Sequence, residues 1–267
     1  MMQPRVELNG AAAGVDALRV LAQVNYGHFT SMRVDDGAVR GLGLHLDRLQ
    51  HATLELFGTL LDRGRVRGWM RQAVAGAAGP LSLRVTVFSR AFRREQPAEA
   101  VPVDVLVATA PAAAPATAPL RVRSTRYARE APHLKHVGTF GLFHQRRLAQ
   151  LAGFDDALFV DATGAVSEGS IWNVGFFDGT TVVWPDAPAL DGVSMQLLRA
   201  GMRRIGLPMD VRRVALGDVC MFRSAFFTNT SCAVMPLASI DGHAFARDSE
   251  LQSRLLACMA VHAPEPL

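Results

Sequence analysis

The chain has 267 residues, 49% of them apolar and 19% charged, with 28 basic against 24 acidic side chains. That composition describes a globular chain rather than a disordered one, and the scattered arginines offer no run of like charge for nucleic acid or a membrane surface. Cys220, Cys232 and Cys258 lack CxxC spacing, so neither a disulfide framework nor a zinc site is indicated. MMQPRVELNG lacks an apolar leader and no apolar stretch reaches membrane-spanning length, so a reduced, cytoplasmic setting is expected.

In chain order, residues 1–34 read as short strands around turns, ending in the alternating run His28–Val34. DDG at Asp35–Gly37 is a hairpin turn. The pattern then takes a helical period over 44–57, stopped by Gly58, with a second helix expected over 65–78. LSLRVTVF and VDVLVATA are β-branched strands. PAAAPATAP, residues 111–119, is the linker candidate, dividing the chain into domains 1–112 and 113–267. Beyond it come a strand, a helix over 141–151, and four strands across DALFVDATGAVSEGSIWNVGFFDGTTVVWP. A helix over 192–205, a strand–loop–strand in AFFTNTSCAVMPLASIDG and a helix over 248–260 complete an α+β pattern.

One basic side chain departs from the rest: Lys135 in PHLKHVGTFG is the sole lysine, the other basic residues being arginine. GC-rich coding explains why arginine replaces lysine on a surface, but not why one lysine stays. Either it is an ordinary solvated charge, or it does what guanidinium cannot, which is to deprotonate and attack a carbonyl to form a Schiff base. Glu168 in AVSEGSIWN lies between apolar runs; it is either exposed at a bulge or buried with a cationic partner such as a protonated ring nitrogen. Gly192-Val193-Ser194 opens a helix after a loop, where Ser194 is a simple first-turn residue or the turn binds an anion. Thr228–Ser231 is a hydroxyl-rich turn suited to phosphate oxygens or to ordinary turn geometry. Arg48 in HLDRL is one more helical arginine until it has a partner.

Taken together and in order, these segments resemble the class IV aminotransferases, the fold type IV family of pyridoxal-phosphate enzymes. Its members include branched-chain and D-amino-acid aminotransferases and 4-amino-4-deoxychorismate lyase. YGHFTSMRVDDGAVRGLGLHLDRL resembles the N-terminal block and KHVGTFGLFHQRRLAQLAGFDDALFVDATGAVSEGSIWNVGFF the central one. LDGVSMQLL and AFFTNTSCAVMPLASIDG resemble the C-terminal blocks, so the likeness runs from about Tyr26 to Gly242. It implies a two-domain fold, with a small α/β N-terminal domain, a larger pseudo-barrel domain, a cofactor cleft between them, and a homodimer. It also implies that pyridoxal 5'-phosphate is carried by Lys135 as an internal aldimine, with Glu168 on the pyridine nitrogen. Arg48, Val193, Ser194, Thr230 and Ser231 match the phosphate-binding positions.

Phe140 stands where the branched-chain enzymes have a tyrosine for the ring oxygen; Arg126, Tyr127 and Arg129 are the nearby substitutes. Phe29 and Thr30 occupy positions where the D-amino-acid enzymes have Tyr and Glu, and GHFTSMRV looks closer to the lyase segment. Phe29 is therefore a substrate-binding candidate, and Arg84 and Arg90 are alternative partners for the substrate carboxylate. The expectation is an aminotransferase exchanging an amino group between an amino acid and a 2-oxo acid, with no metal, nucleic acid or membrane partner. The alternatives are a pyruvate-releasing lyase of the folate pathway and a family member that binds the cofactor without catalysis.

Overall fold

The structure, a computed structural model, describes residues 5–114 and 118–267. The linker expected at 111–119 thus lies partly outside the described residues. The chain packs as two compact units. The first comprises residues up to 114 together with 134–138 and 263–267; the second comprises the rest. The boundary read near 112 misses these two returns, because a segment of five residues carries no pattern of its own in sequence.

In the first unit the elements run β1 (Arg5–Leu8), β2 (Ala11–Ala12), α1 (Val15–Val24), β3 (Gly27–Val34), β4 (Ala38–Arg40) and α2 (Leu42–Phe57). They continue with α3 (Arg63–Val74), β5 (Leu81–Phe88) and β6 (Asp104–Pro111). Strands pair antiparallel in the order β2-β1-β6-β5-β3. The period-2 pattern of LSLRVTVF decides the layering. Leu81, Leu83, Val85 and Val87 pack with Leu42, Leu46, Leu49, Val66 and Met70 from α2 and α3, while Ser82, Arg84 and Thr86 take the opposite face. Leu49 and Met70 are fully buried, each side chain contributing about 1.5–3 kcal/mol by leaving water.

Helix α1 has no counterpart among the short strands expected in the N-terminal stretch. It starts at Gly14 without a side-chain cap, so the usual start signal is missing. Tertiary contact stabilises it: Leu18 and Leu21 pack on Leu8, Phe88 and Leu106. Helix α3 begins two residues before the expected start, because Asp62 accepts the Arg65 N–H and caps it.

The second unit contains β7 (Leu120–Arg126), α4 (Phe140–Leu151), β8 (Asp156–Val160), β9 (Val166–Gly169), β10 (Asn173–Phe177) and β11 (Val182–Pro185). There follow α5 (Val193–Ile205), β12 (Met209–Arg212), a 3-10 turn, β13 (Ser224–Thr228), β14 (Met235–Ile240), β15 (His243–Ala244) and α6 (Ser249–Ala260). A last strand, β16 (Pro264–Pro266), belongs to the first unit and pairs with β4. The large sheet has the order β12-β11-β10-β13-β14-β7-β8-β9. Its terminal strand β9 connects to the interior strand β10 through residues 170–172 alone, with Gly169 N–H donating to Trp172 O at 2.8 Å. So short a link brings the end of the path back to its middle, and the sheet curls into a half-barrel. Against it, α5 and α6 cross closely: a Cβ at Gly201 would lie 2.1 Å from Cys258 O. Among the described residues no helix is long and apolar enough to cross a membrane.

Candidate functional site

Lys135 belongs to the first unit by main-chain pairing. Phe29 N–H donates to Lys135 O at 2.8 Å, Val137 N–H donates to Gly27 O at 2.9 Å, and His28 bridges His136. Strand β3 is therefore paired with β5 along one edge and with 135–137 along part of the other. The Lys135 ammonium stands 5.0 Å from the Phe29 ring centroid, and the Arg84 guanidinium stacks on the same ring at 3.5 Å. Arg84 Nε also donates to Thr86 Oγ1 at 3.3 Å. Lys135, Phe29, Arg84 and Thr86 thus share the face of the sheet turned away from α2.

The opposite face holds two buried imidazoles. His28 Nε2 pairs with Thr53 Oγ1 at 3.0 Å, and His45 Nδ1 with Thr30 Oγ1 at 2.6 Å. Burial lowers His28 to about 3. Burial likewise lowers His45 to about 3, helped by the positive charges of Arg48 and Lys135. Both rings are neutral near neutral pH. Arg48 is half-buried on α2, one turn from His45.

Arg90 is placed differently from Arg84. Its Nε and Nη2 grip both oxygens of Asp104 at 3.0 and 2.8 Å, and Asn9 Nδ2 donates to the same carboxylate at 2.9 Å. That fork is already occupied by a structural partner.

In the second unit, Glu168 is 4% exposed. It lies at a β-bulge: Leu158 faces Gly169 and Val160 faces Val166, so Ser167 and Glu168 together oppose Phe159. Of the two sequence alternatives for Glu168, the bulge holds and the exposure does not, because a bulge re-aims a side chain and here it aims inward. Arg129 Nη1 lies 3.5 Å from Glu168 Oε1, and Leu190 N–H donates to Oε2 at 3.2 Å. Arg129 is itself buried, so the pair compensates two desolvated charges. Tyr127 stands in the same neighbourhood; burial raises its pKa, Arg129 opposes the rise, and Glu130 and Glu168 add to it. Phe140, by contrast, is 80% exposed, and Arg126 is exposed as well.

The strands around Glu168 are fastened by a second carboxylate that the sequence alone does not single out. Buried Asp156 accepts from Ser170 Oγ at 2.7 Å and Trp172 Nε1 at 2.9 Å, fixing the bend between β9 and β10. Asn173, just after that bend, donates from Nδ2 to Leu190 O at 2.8 Å. One signal is available for both: a polar residue inside an apolar strand needs a partner, as Glu168 does.

Leu190 leads into α5, whose N-cap Gly192 offers no side-chain cap. The first intrahelical bond is Gln196 N–H to Gly192 O at 2.9 Å, so the amides of Val193 and Ser194 lie in the open first turn. Both residues are buried. Asp248 caps α6 by accepting from Leu251 N–H, as Asp62 caps α3, whereas α5 shares its bare start with α1, α2 and α4. The turn after β13 keeps Thr230 half-buried and Ser231 exposed, with Asn229 Oδ1 accepting from the amides of Ser231 and Cys232 at 2.9 and 2.8 Å. Within their own units, then, the structure groups Lys135 with Phe29 and Arg84, and Glu168 with the approach to Val193 and Ser194.

Comparison with known proteins gives this geometry its class. The class IV amino-transferase family model matches residues 27–240, and the chain belongs to that family. A probable branched-chain-amino-acid aminotransferase of Rickettsia bellii is 28% identical over 52% of this chain, a match spanning 50% of the relative's own length. Among solved structures, the branched-chain aminotransferase of Thermoproteus uzoniensis with norvaline superposes with a TM-score of 0.84, at 18% identity, covering 97% of this chain and 95% of that one. A hypothetical aminotransferase from Mycobacterium tuberculosis, in its PLP-bound form, superposes at 0.81, with 19% identity over 98% and 99% of the two chains. At such identities these structures establish the shared fold.

Proposed function

We propose that the chain is a pyridoxal-phosphate-dependent aminotransferase that moves an amino group between an amino acid and a 2-oxo acid, with branched-chain amino acids as the first substrates to test. The observation that carries this reading is the placement of the sole lysine: its main chain is pinned to β3, while its amine stands near the Phe29 ring on which Arg84 also stacks. The residues fit the cofactor. Glu168 is a buried carboxylate suited to a ring nitrogen cation, the first turn of α5 has no side-chain cap, and the Thr228 hydroxyl is fully buried without a hydrogen-bond partner among the described residues.

In this reading Lys135 holds the cofactor through its amine, and Arg48, Val193, Ser194, Thr230 and Ser231 hold its phosphate. Once bound, the cofactor supplies an electron sink for the substrate's Cα electrons. Lys135 Nζ, freed once the substrate's own amino group has displaced it from the cofactor, would then take the proton from the substrate Cα as a positioned base. Glu168 keeps a proton on the ring nitrogen, and Arg129 keeps Glu168 oriented for it. Arg84 takes the substrate carboxylate over the Phe29 ring, and Arg90 stays with Asp104. Tyr127 and Arg129, grouped with Glu168, replace the missing tyrosine at Phe140 as partners of the ring oxygen. The protein works as a homodimer; the exposed Phe140, Phe143 and Leu151 of α4 support association.

The test is a screen of amino acids against the cofactor-loaded protein, following conversion of the bound cofactor to its amine form by absorbance. Pyruvate release is followed in parallel to separate transamination from the lyase reaction. Conversion by branched-chain amino acids supports the proposal. Pyruvate released from aminodeoxychorismate without an amino acceptor establishes the lyase instead, and no half-reaction with any amino acid leaves a binding protein.

A further inference from the structure

We propose that Asn173 is a positioning residue that sets the first turn of α5 for a phosphate, acting through Leu190 and Gly192. The inference rests on the cofactor reading above and adds a residue to it. Leu190 is held on both sides of its own backbone: its N–H by Glu168 Oε2 at 3.2 Å and its carbonyl by Asn173 Nδ2 at 2.8 Å. These two side chains come from either side of the β9–β10 bend. Residues 186–192 have no helix or strand of their own, so this clamp fixes where α5 begins.

The other end of the Asn173 amide explains Gly192. Its φ of −65° and ψ of 138° are open to any residue, so conformational freedom is not the reason for glycine there. Space is the reason: a Cβ at 192 would come 2.0 Å from Asn173 Oδ1. The amide therefore touches the chain at two points, bonding residue 190 and packing against residue 192. Thr228 lies directly opposite Asn173 in the β10–β13 register, so its buried hydroxyl projects on the same face of the sheet. A bare helix start, a buried hydroxyl and a fixed approach loop suit a phosphate better than any neutral ligand.

A merely structural Asn173 would satisfy the Leu190 carbonyl and nothing more. Comparing pyridoxal phosphate with pyridoxal, which keeps ring and aldehyde but lacks the phosphate, separates the two roles. Titrations of the apo protein with each compound would be run on wild type, Asn173→Ala, Gly192→Ala and the double variant. The expected result is that Asn173→Ala raises the Kd for pyridoxal phosphate about tenfold, the size of one charge-assisted hydrogen bond, and leaves the Kd for pyridoxal in place. Gly192→Ala shifts the preference the same way, and adds little once Asn173 is alanine because its obstacle is gone. If Asn173→Ala fails to fold, Gly192→Ala alone carries the test. A wild type that prefers the phosphorylated form, with that preference intact in either variant, overturns this proposal alone. A wild type that binds neither compound overturns the cofactor reading and this proposal with it.

Discussion

The two units hold the groups proposed for chemistry in opposite ways. Around Lys135 the fastening is backbone: its own carbonyl and the two residues after it pair with β3, and the side chain reaches the Phe29 ring. Around Glu168 the fastening is side chain: Arg129, Asp156 and Asn173 tie together a carboxylate, a bend and a loop. An amine that must accept and release a proton needs an anchored root and a tip that can move. A carboxylate that stabilises a fixed charge needs to be held still, since electrostatic stabilisation depends on preorganised dipoles.

Substitutions on each side test this contrast. The largest effect is expected from Lys135→Ala, which should abolish the visible band of the loaded protein and lower turnover by roughly 10²–10⁴-fold while the fold persists. Retention of the band disproves the role. Glu168→Gln should behave differently, costing stability as well as activity, because it strips the carboxylate from a buried pair. Loss of one partner from such a pair costs about 3–5 kcal/mol, readable in urea melts of the apo protein. An unchanged midpoint would show that the Arg129 contact is incidental.

Acid should act next, through the two imidazoles. His28 and His45 have native pKa values of about 3 against an ordinary 6.5, so the folded chain leaves them neutral where the unfolded chain takes up protons. Their contribution is complete above pH 6.5 and is progressively lost as pH falls toward 3. Calorimetry from pH 7 to 4 should show the melting temperature dropping, with a flatter profile in His28→Gln/His45→Gln. Equal slopes in the two proteins would place the acid sensitivity elsewhere.

The two arginines give the smallest effects. Arg84→Gln should raise KM with little change in melting, the loss of a carboxylate contact being about 1.5–3 kcal/mol. Arg90→Gln should leave KM alone and change the melting temperature little, since its ion pair with Asp104 is half in solvent. The reverse pattern would exchange their roles.

Several of these features are visible without any coordinates. The alternation of LSLRVTVF shows which residues of β5 face the helices, and Glu168 draws notice as a charge among apolar neighbours. Lys135 stands out because the remaining basic residues are arginine. What escapes has no local signature. Helix α1 starts on a glycine and is held by contacts with Leu8, Phe88 and Leu106, two of them distant in sequence. Arg129 is one of three candidates in RYARE until burial separates it from exposed Arg126. Asn173 reads as the edge of a core strand, and its work is done on Leu190, seventeen positions away. Polarity shows which residues need partners; only the folded chain shows which partners they find.

The short return of 134–138 has a consequence for how the protein is made. The first unit is not finished when residue 114 has been synthesised: one edge of β3 waits for residues 135–137, and β4 waits for β16. Until then the nascent chain exposes unpaired strand edges, which are templates for pairing with other chains. Ordering contacts this far apart in sequence is slow, because loop closure must come before the contacts reward it. A fragment cut at residue 114 should therefore be aggregation-prone rather than a stable domain, and the segment that presents Lys135 doubles as a late-arriving shield for the edge it covers.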